Sequence, residues 1–181
     1  MSQKALEIIA EKYSDFVLAT HDQHGDETVI VKREALPDLF RFLKFDSSLA
    51  FEMLVDVTAV DYMNAKNRPV GLPEGYRFFV VYHLRSLSLH QRIRVKVPLR
   101  EDDMTVPTAY NVWKGANWPE REVYDMFGII FKGHPDLRRI LLYEEFKGHP
   151  LRKDYPLRGY QPRMSMPELN GDPVPGVEDS K

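Results

Sequence analysis

The chain has 181 residues, 25 Lys and Arg against 27 Asp and Glu, a formal net charge of −2 and 13 prolines. A hydrophobic fraction of 43% with 12% aromatic residues excludes disorder over the whole length, and the size suits one domain with an appendage. The near-zero charge predicts no strong attraction to nucleic acid or to an anionic membrane, and the absence of cysteine excludes disulfides, thiolate metal sites, cysteine nucleophiles and cysteine-ligated iron–sulfur clusters within the chain.

Residues 3–13 place Leu6, Ile9 and Tyr13 at helical spacing, which predicts a short amphipathic helix. A hairpin follows, with strand-like runs at 16–20 and 28–32 flanking a polar turn that contains Gly25. Pro37 opens a second helix with Leu36, Leu39, Phe40 and Leu43 on one face, ending near Asp46 and Ser47. The dense apolar run from Leu49 to Tyr62 reads as a buried strand interrupted by Asp56 and Asp61, and residues 63–75 as a long loop. Two strands, 76–84 and 89–99, come next. The second alternates Ile93, Val95 and Val97 with Arg92, Arg94 and Lys96, so one face is buried and the other meets solvent or a partner.

Residues 105–127 read as helical, with Asn117 as cap, Pro119 in the first turn, Glu120 closing a capping box and Gly128 as the stop. Beyond this helix the chain turns basic. From Lys132 to Arg163 eight Lys or Arg face four Asp or Glu, and from Pro156 onward there are five prolines among 26 residues. The expected division is a folded α+β body over 1–155 and an extended, proline-rich docking tail over 156–181.

No stretch approaches the roughly 18 uncharged apolar residues of a membrane span. The N-terminus reads as untargeted, since it lacks an apolar signal core and carries acidic residues. Phe-Lys-Gly-His-Pro occurs twice, at Phe131 and Phe146, each time followed by Leu and paired bases. Two histidines could bind a metal, but the spacing offers no third ligand and the flanking bases repel a cation; His134 and His149 read better as turn residues bonded to backbone or carboxylates. Glu120, Arg121, Glu122 and Asp125 form an acidic helix start in which Arg121 can pair with Asp125 at i,i+4; Glu122 and Asp125 share a side at i,i+3, raw material for acid–base hydrolysis but more often a solvated or ion-paired helix start. Asp56 and Asp61 need an Arg or a turn amide if buried. Tyr110, Trp113 and Trp118 are expected in the core rather than as a base-stacking platform. Nucleotide-binding glycine loops and a nucleophile elbow are absent from the sequence.

Glu120-Arg121-Glu122, Asp125-Met126-Phe127, His134, Arg138 and Ile140-Leu141, at their spacing, resemble the signature of the C subunit of NADH-quinone oxidoreductase, respiratory complex I. Asp56 to Tyr62, Tyr76-Arg77-Phe78, Trp113 to Trp118 and Gly148 to Pro156 resemble the same family, in the same order. The resemblance implies a mixed, largely antiparallel sheet flanked by helices, with an extended C-terminal tail packed on the large D subunit beside the quinone pocket. It implies a non-catalytic, peripheral-arm subunit on the cytoplasmic side of a bacterial membrane. Iron–sulfur clusters and FMN would sit in partner subunits, and membrane association would be indirect. Glu120, Arg121, Glu122, Asp125, His134, Arg138, Arg139, His149, Arg152, Lys153, Asp154 and Tyr155 would be fixtures of the fold and its interface. Among these, Arg138, Arg139, Arg152 and Lys153 are expected to pair with acidic groups of neighbouring subunits. The alternatives are the equivalent subunit of an energy-converting hydrogenase or related complex and, remotely, a stand-alone hydrolase using Glu122 and Asp125.

Overall fold

In the computed structural model, which describes residues 3–65 and 69–160, the two amphipathic patterns near the N-terminus fold as expected. Helix α1 (Gln3–Lys12) buries Ala5, Leu6 and Ile9. Strands β1 (Val17–His21) and β2 (Thr28–Val31) form the antiparallel hairpin. Helix α2 (Leu36–Phe45), with proline in its first turn, buries Leu36, Leu39, Phe40 and Leu43, the face read from the sequence. Strands β3 (Met53–Asp61), β4 (Phe78–Ser86) and β5 (Gln91–Leu99) complete a five-stranded sheet of order β1-β2-β5-β4-β3. Only β2 and β5 are parallel, so the sheet is mixed and largely antiparallel.

Alternation along β4 and β5 sends Phe78, Val80, Tyr82, Ile93, Val95 and Val97 into the main core beneath the helices. There the ring of Phe40 meets Tyr82 and Trp113 edge-on at 4.9 and 5.3 Å. The opposite face buries a smaller cluster of Ile30, Leu72, Phe79 and Val81, with Tyr62 and Tyr76 packed against it.

Three expectations are corrected. The strand expected in the run 49–62 forms as β3, but at the sheet edge and only partly buried, covering Val57, Ala59 and Asp61 while exposing Met53, Val55 and Val60. Apolar density alone does not separate a central strand from an edge that a partner could cover. The stretch 105–116 is not helical. It gives strand β6 (Thr105–Pro107) and a single 3₁₀ turn at Lys114–Ala116, and helix α3 is confined to Asn117–Phe127. Strand β7 (Ile130–Lys132) pairs parallel to β6, so α3 is the crossover of a βαβ unit. Finally, the capping box does not form. Ala116 is the cap residue and no side chain caps the helix, because Glu120 turns inward to other partners. Gly128, at φ 81°, stops the helix as expected.

After β7 the described chain has no further helix or strand. The expected boundary at 155/156 falls within a set of turns: Gly159 N–H donates to the Pro156 carbonyl, and the Tyr155 and Tyr160 rings meet edge-on at 5.4 Å. Most of the expected tail, residues 161–181, lies outside the described residues.

Candidate docking interface

The segment 133–155 has almost no apolar core of its own, and two buried carboxylates hold it to the body. The first is Asp125, fully buried on α3. Its Oδ2 accepts the backbone N–H groups of Ile140, Leu141 and Leu142 at 3.1, 2.8 and 2.9 Å. Its Oδ1 accepts Arg139 Nη1 at 2.7 Å. Burial pushes this carboxyl up, but the amides of Leu142 and Leu141, the Arg139 guanidinium and the Ile140 amide together outweigh it and leave the group below its ordinary value. Arg139 goes on to donate to the carbonyls of Phe146 and Gly148 at 2.9 and 3.2 Å. The expected Arg121–Asp125 pair is therefore replaced. Arg121 donates instead to the carbonyls of Arg138 and Arg139 at 3.1 and 3.0 Å.

Both His-Pro turns bond backbone carbonyls, in line with the turn reading. His134 Nε2 lies 3.1 Å from the Asn117 carbonyl while its Nδ1 accepts the Asp136 N–H, which assigns the proton to Nε2. His149 Nδ1 lies 2.9 Å from the Asp125 carbonyl, which assigns the opposite tautomer. Burial lowers the His149 pKa, and the Arg139 and Arg152 charges add to this against the carbonyl bond. With Leu151 N–H donating to the Met126 carbonyl, His149 completes the open C-terminal end of α3. Gly128 is needed twice over here: its φ is left-handed, and a Cβ would lie 2.7 Å from His149 Nε2.

The second buried carboxylate is Asp61, at the end of β3. Arg77 grips it bidentately, Nε to Oδ1 at 2.9 Å and Nη2 to Oδ2 at 2.6 Å. Asp61 also accepts the N–H of Met63 and of Lys153 at 2.9 and 2.8 Å. Arg77 extends to Glu101 at 2.6 Å and to Asp154 at 3.1 Å, and Arg152 bridges the same two acids at 2.9 and 3.2 Å. Both guanidiniums lie over the Phe78 ring, at 4.7 and 5.4 Å. Bonding to Arg77, then to Arg152, holds Asp154 down at about 2.

Thus Arg139 and Arg152 are engaged inside the chain. Arg138 is exposed, and among the described residues its one ion pair is with the exposed Asp136 at 3.0 Å; Lys153 is exposed. The carboxylate pair of the hydrolase reading does not assemble, since Glu122 is exposed while Asp125 is sealed and bonded throughout. Glu120 is also fully buried, accepting Thr108 Oγ1 at 2.5 Å and the Ala109 N–H at 2.6 Å. Burial pushes it up to about 7 against those two bonds. Sequence reasoning quoted Arg77 only within the family resemblance, without a role, and missed Glu101 and Thr108. The only sequence signal was Asp61 in an apolar run, which demands a partner without naming it. Among the described residues, no group of three His, Cys, Asp or Glu is placed to hold a metal, and no helix is long and apolar enough to cross a membrane.

The segment 133–155 lies as a strap on the body and leaves several apolar side chains outward. Leu141 is 61% exposed and Leu151 51%, while Leu157 and Tyr160 are exposed beyond them. Trp113 lies in the core with Nε1 bonded to the Phe51 carbonyl at 3.1 Å, but Trp118, contrary to expectation, is 69% exposed. Trp118, Pro119, Ile140 and Leu141, with Arg121 and Glu122, line an apolar depression of about 510 Å³.

Comparison with known proteins identifies this architecture. Residues 29–161 match the family described as respiratory-chain NADH dehydrogenase, 30 Kd subunit. The chain is 43% identical over 169 residues to the NADH-quinone oxidoreductase C subunit of Geotalea uraniireducens, covering 91% of this chain and 96% of that one. With the C subunit of Geobacter metallireducens it is 46% identical, covering 91% and 98%. Among solved structures it resembles the trypsin-resistant fragment (1-134) of Nqo5, with a TM-score of 0.64 and 33% identity over 76% of this chain and all of that fragment. It also shares the fold of a chain in the membrane-bound sulfane sulfur reductase, an archaeal respiratory membrane complex, with a TM-score of 0.67 at 23% identity over 86% of each chain. The chain therefore belongs to the family of the 30 Kd subunit of the respiratory-chain NADH dehydrogenase, with C subunits of bacterial NADH-quinone oxidoreductases among its relatives.

Proposed function

We propose that this chain is a non-catalytic docking subunit in the peripheral arm of NADH-quinone oxidoreductase, on the cytoplasmic face of a bacterial membrane, and that its C-terminal strap and tail pack on the large quinone-site D subunit. In this reading NADH oxidation, the FMN and iron–sulfur relay and quinone reduction belong to partner subunits. This chain supplies shape and contact surface to an enzyme that couples electron transfer to proton translocation.

One observation carries the reading. The strap is held down by buried ionic and backbone bonds and by Leu137 and Leu142 packed against the core, while Leu141, Leu151 and, just beyond, Leu157 stay exposed. A strap that packed only on itself would turn these side chains inward; fixed polar anchoring with outward leucines suits a surface completed by another protein. The sealed state of Glu120 and Asp125 agrees, because neither carboxyl reaches a substrate-sized space.

The test is co-purification with the large quinone-site partner. The double variant Leu141→Asp/Leu157→Asp and a chain truncated after Tyr160 are each expected to fold and to lose most of that partner on affinity purification. Undiminished recovery with both variants would sink the proposal.

A further inference from the structure

The face of β4 and β5 that points away from the helices carries a group of cations that the docking strap does not use. Arg85 stands directly opposite Arg92, His83 opposite Arg94, and Lys96 follows two residues on along β5. Like charges directly opposite one another on a sheet weaken it. The chain does little to relieve them. Arg94 pairs with Asp26 at 2.8 Å, and Asp56 stands across from His83, but no ion pair among the described residues includes Arg85, Arg92 or Lys96. Burial, then the charge of Arg94, holds both His83 and Lys96 below their ordinary pKa, as a crowded positive field requires.

We propose that this face of the sheet is a second interface, which receives an acidic protein surface of a neighbouring subunit. The proposal rests on the subunit reading above. The three arginines of the group can pair either a carboxylate or a phosphate through two parallel bonds, so two other observations select protein over polyphosphate or lipid. Met53 stands opposite Arg85, and Val55 borders the same depression as Arg85 and Arg92; both are about half exposed, giving the patch the apolar margin of a protein contact. Asp26 and Asp56, fixed among the cations, would repel a continuous phosphate surface but can be met by a Lys or Arg of a partner protein. Strand spacing gives the group a footprint of roughly 200 Å², about a quarter of one side of an ordinary interface, so it specifies part of a larger contact.

Substitution should separate binding from folding. Arg85→Glu converts the Arg85–Arg92 row into an opposite-charge pair, and Arg92→Gln removes the repulsion without creating a pair. Each is expected to leave the full chain folded, with Arg85→Glu raising its melting temperature by about 1–3 °C. Each is also expected to weaken capture by a peripheral arm purified without this subunit, by about tenfold at low salt. Added NaCl should erase most of the difference between wild type and variant. Wild-type capture by both variants overturns the proposal and leaves the subunit reading standing. Failure of the wild-type chain itself to be captured refutes the subunit reading. Binding of the wild type to vesicles containing anionic phospholipid, lost in Arg85→Glu while capture by the arm is unchanged, overturns it in favour of a lipid surface.

Discussion

Replacing Asp125 with Asn should release the C-terminal strap while the sheet stays intact. The amide keeps one oxygen, which can face either the three N–H groups of Ile140, Leu141 and Leu142 or Arg139, but not both sets. Either orientation sets an N–H₂ group against other donors. Breaking a buried ion pair from one side costs about 3–5 kcal/mol, and Arg139 here keeps 15% of its side chain exposed. Arg139 keeps its bonds to the carbonyls of Phe146 and Gly148, so the lower end, about 3 kcal/mol, is the expected cost. If the strap opens separately from the sheet, that lowers amide protection at 140–142 by roughly 100-fold at pH 7, with little change at Val80 and Tyr82 in β4. Native-state hydrogen exchange on the full chain reads both. The pH dependence has a definite sign. Because the folded carboxyl lies below its ordinary value, its contribution is complete above about pH 5, above the unfolded value of about 3.9, and is lost as the pH falls through the folded one; the Asn variant should lack this acid-side loss. Unchanged protection at 140–142 would refute the reasoning. So would an equal loss in β4, because the strap would then not be a separately held unit.

The other buried groups give further expectations. Glu120 is raised from 4.5 to about 7, so the folded state holds its proton more tightly and stability should fall, by on the order of 3 kcal/mol, as the pH rises from about 4.5 to about 7; Glu120→Gln should flatten that slope in urea titrations. Gly128→Ala places a Cβ against His149 at a left-handed φ and should cost about 1–3 kcal/mol by chemical denaturation, more than Gly115→Ala, where a Cβ meets nothing within 4 Å. Arg77→Lys loses the bidentate grip on Asp61 and should raise exchange at Lys153 and Tyr155 before it affects the strands, which mass-resolved exchange would reveal.

What could be read in the sequence, and what could not, divides by range. Leu36, Leu39, Phe40 and Leu43 declare α2 because a helix repeats within four residues, and Ile93, Val95 and Val97 declare β5 because a strand repeats within two. The Gly128 stop and the two His-Pro turns are equally local. Glu120 misled because the capping-box spacing is real, yet the carboxyl has better donors in Thr108 and Ala109, which β6 and its following turn bring beneath the helix. Arg121 misled in the same way. An i,i+4 partner was available at Asp125, but three backbone amides and Arg139 occupy that carboxyl, and the free carbonyls of Arg138 and Arg139 take Arg121 instead. The contact of Asp61 with the Lys153 amide spans 92 residues, a separation at which no periodicity carries information. The signature that revealed the family is built largely from these residues. Asp125 and His134 join α3 to the segment after it, through the Leu141 amide and the Asn117 carbonyl, whereas Arg138 takes part through its backbone carbonyl, which accepts Arg121.

We propose that this chain works as a docking subunit of an NADH-oxidising, quinone-reducing complex. The most direct test is a native purification from membranes of the source organism through a tag on the full chain, followed by assay of the retained material. The large quinone-site partner is expected to be retained together with NADH-dependent quinone reduction, and both to be lost with the Leu141→Asp/Leu157→Asp chain. Recovery of the chain alone, with the complex assembled and active without it, would rule out a docking subunit.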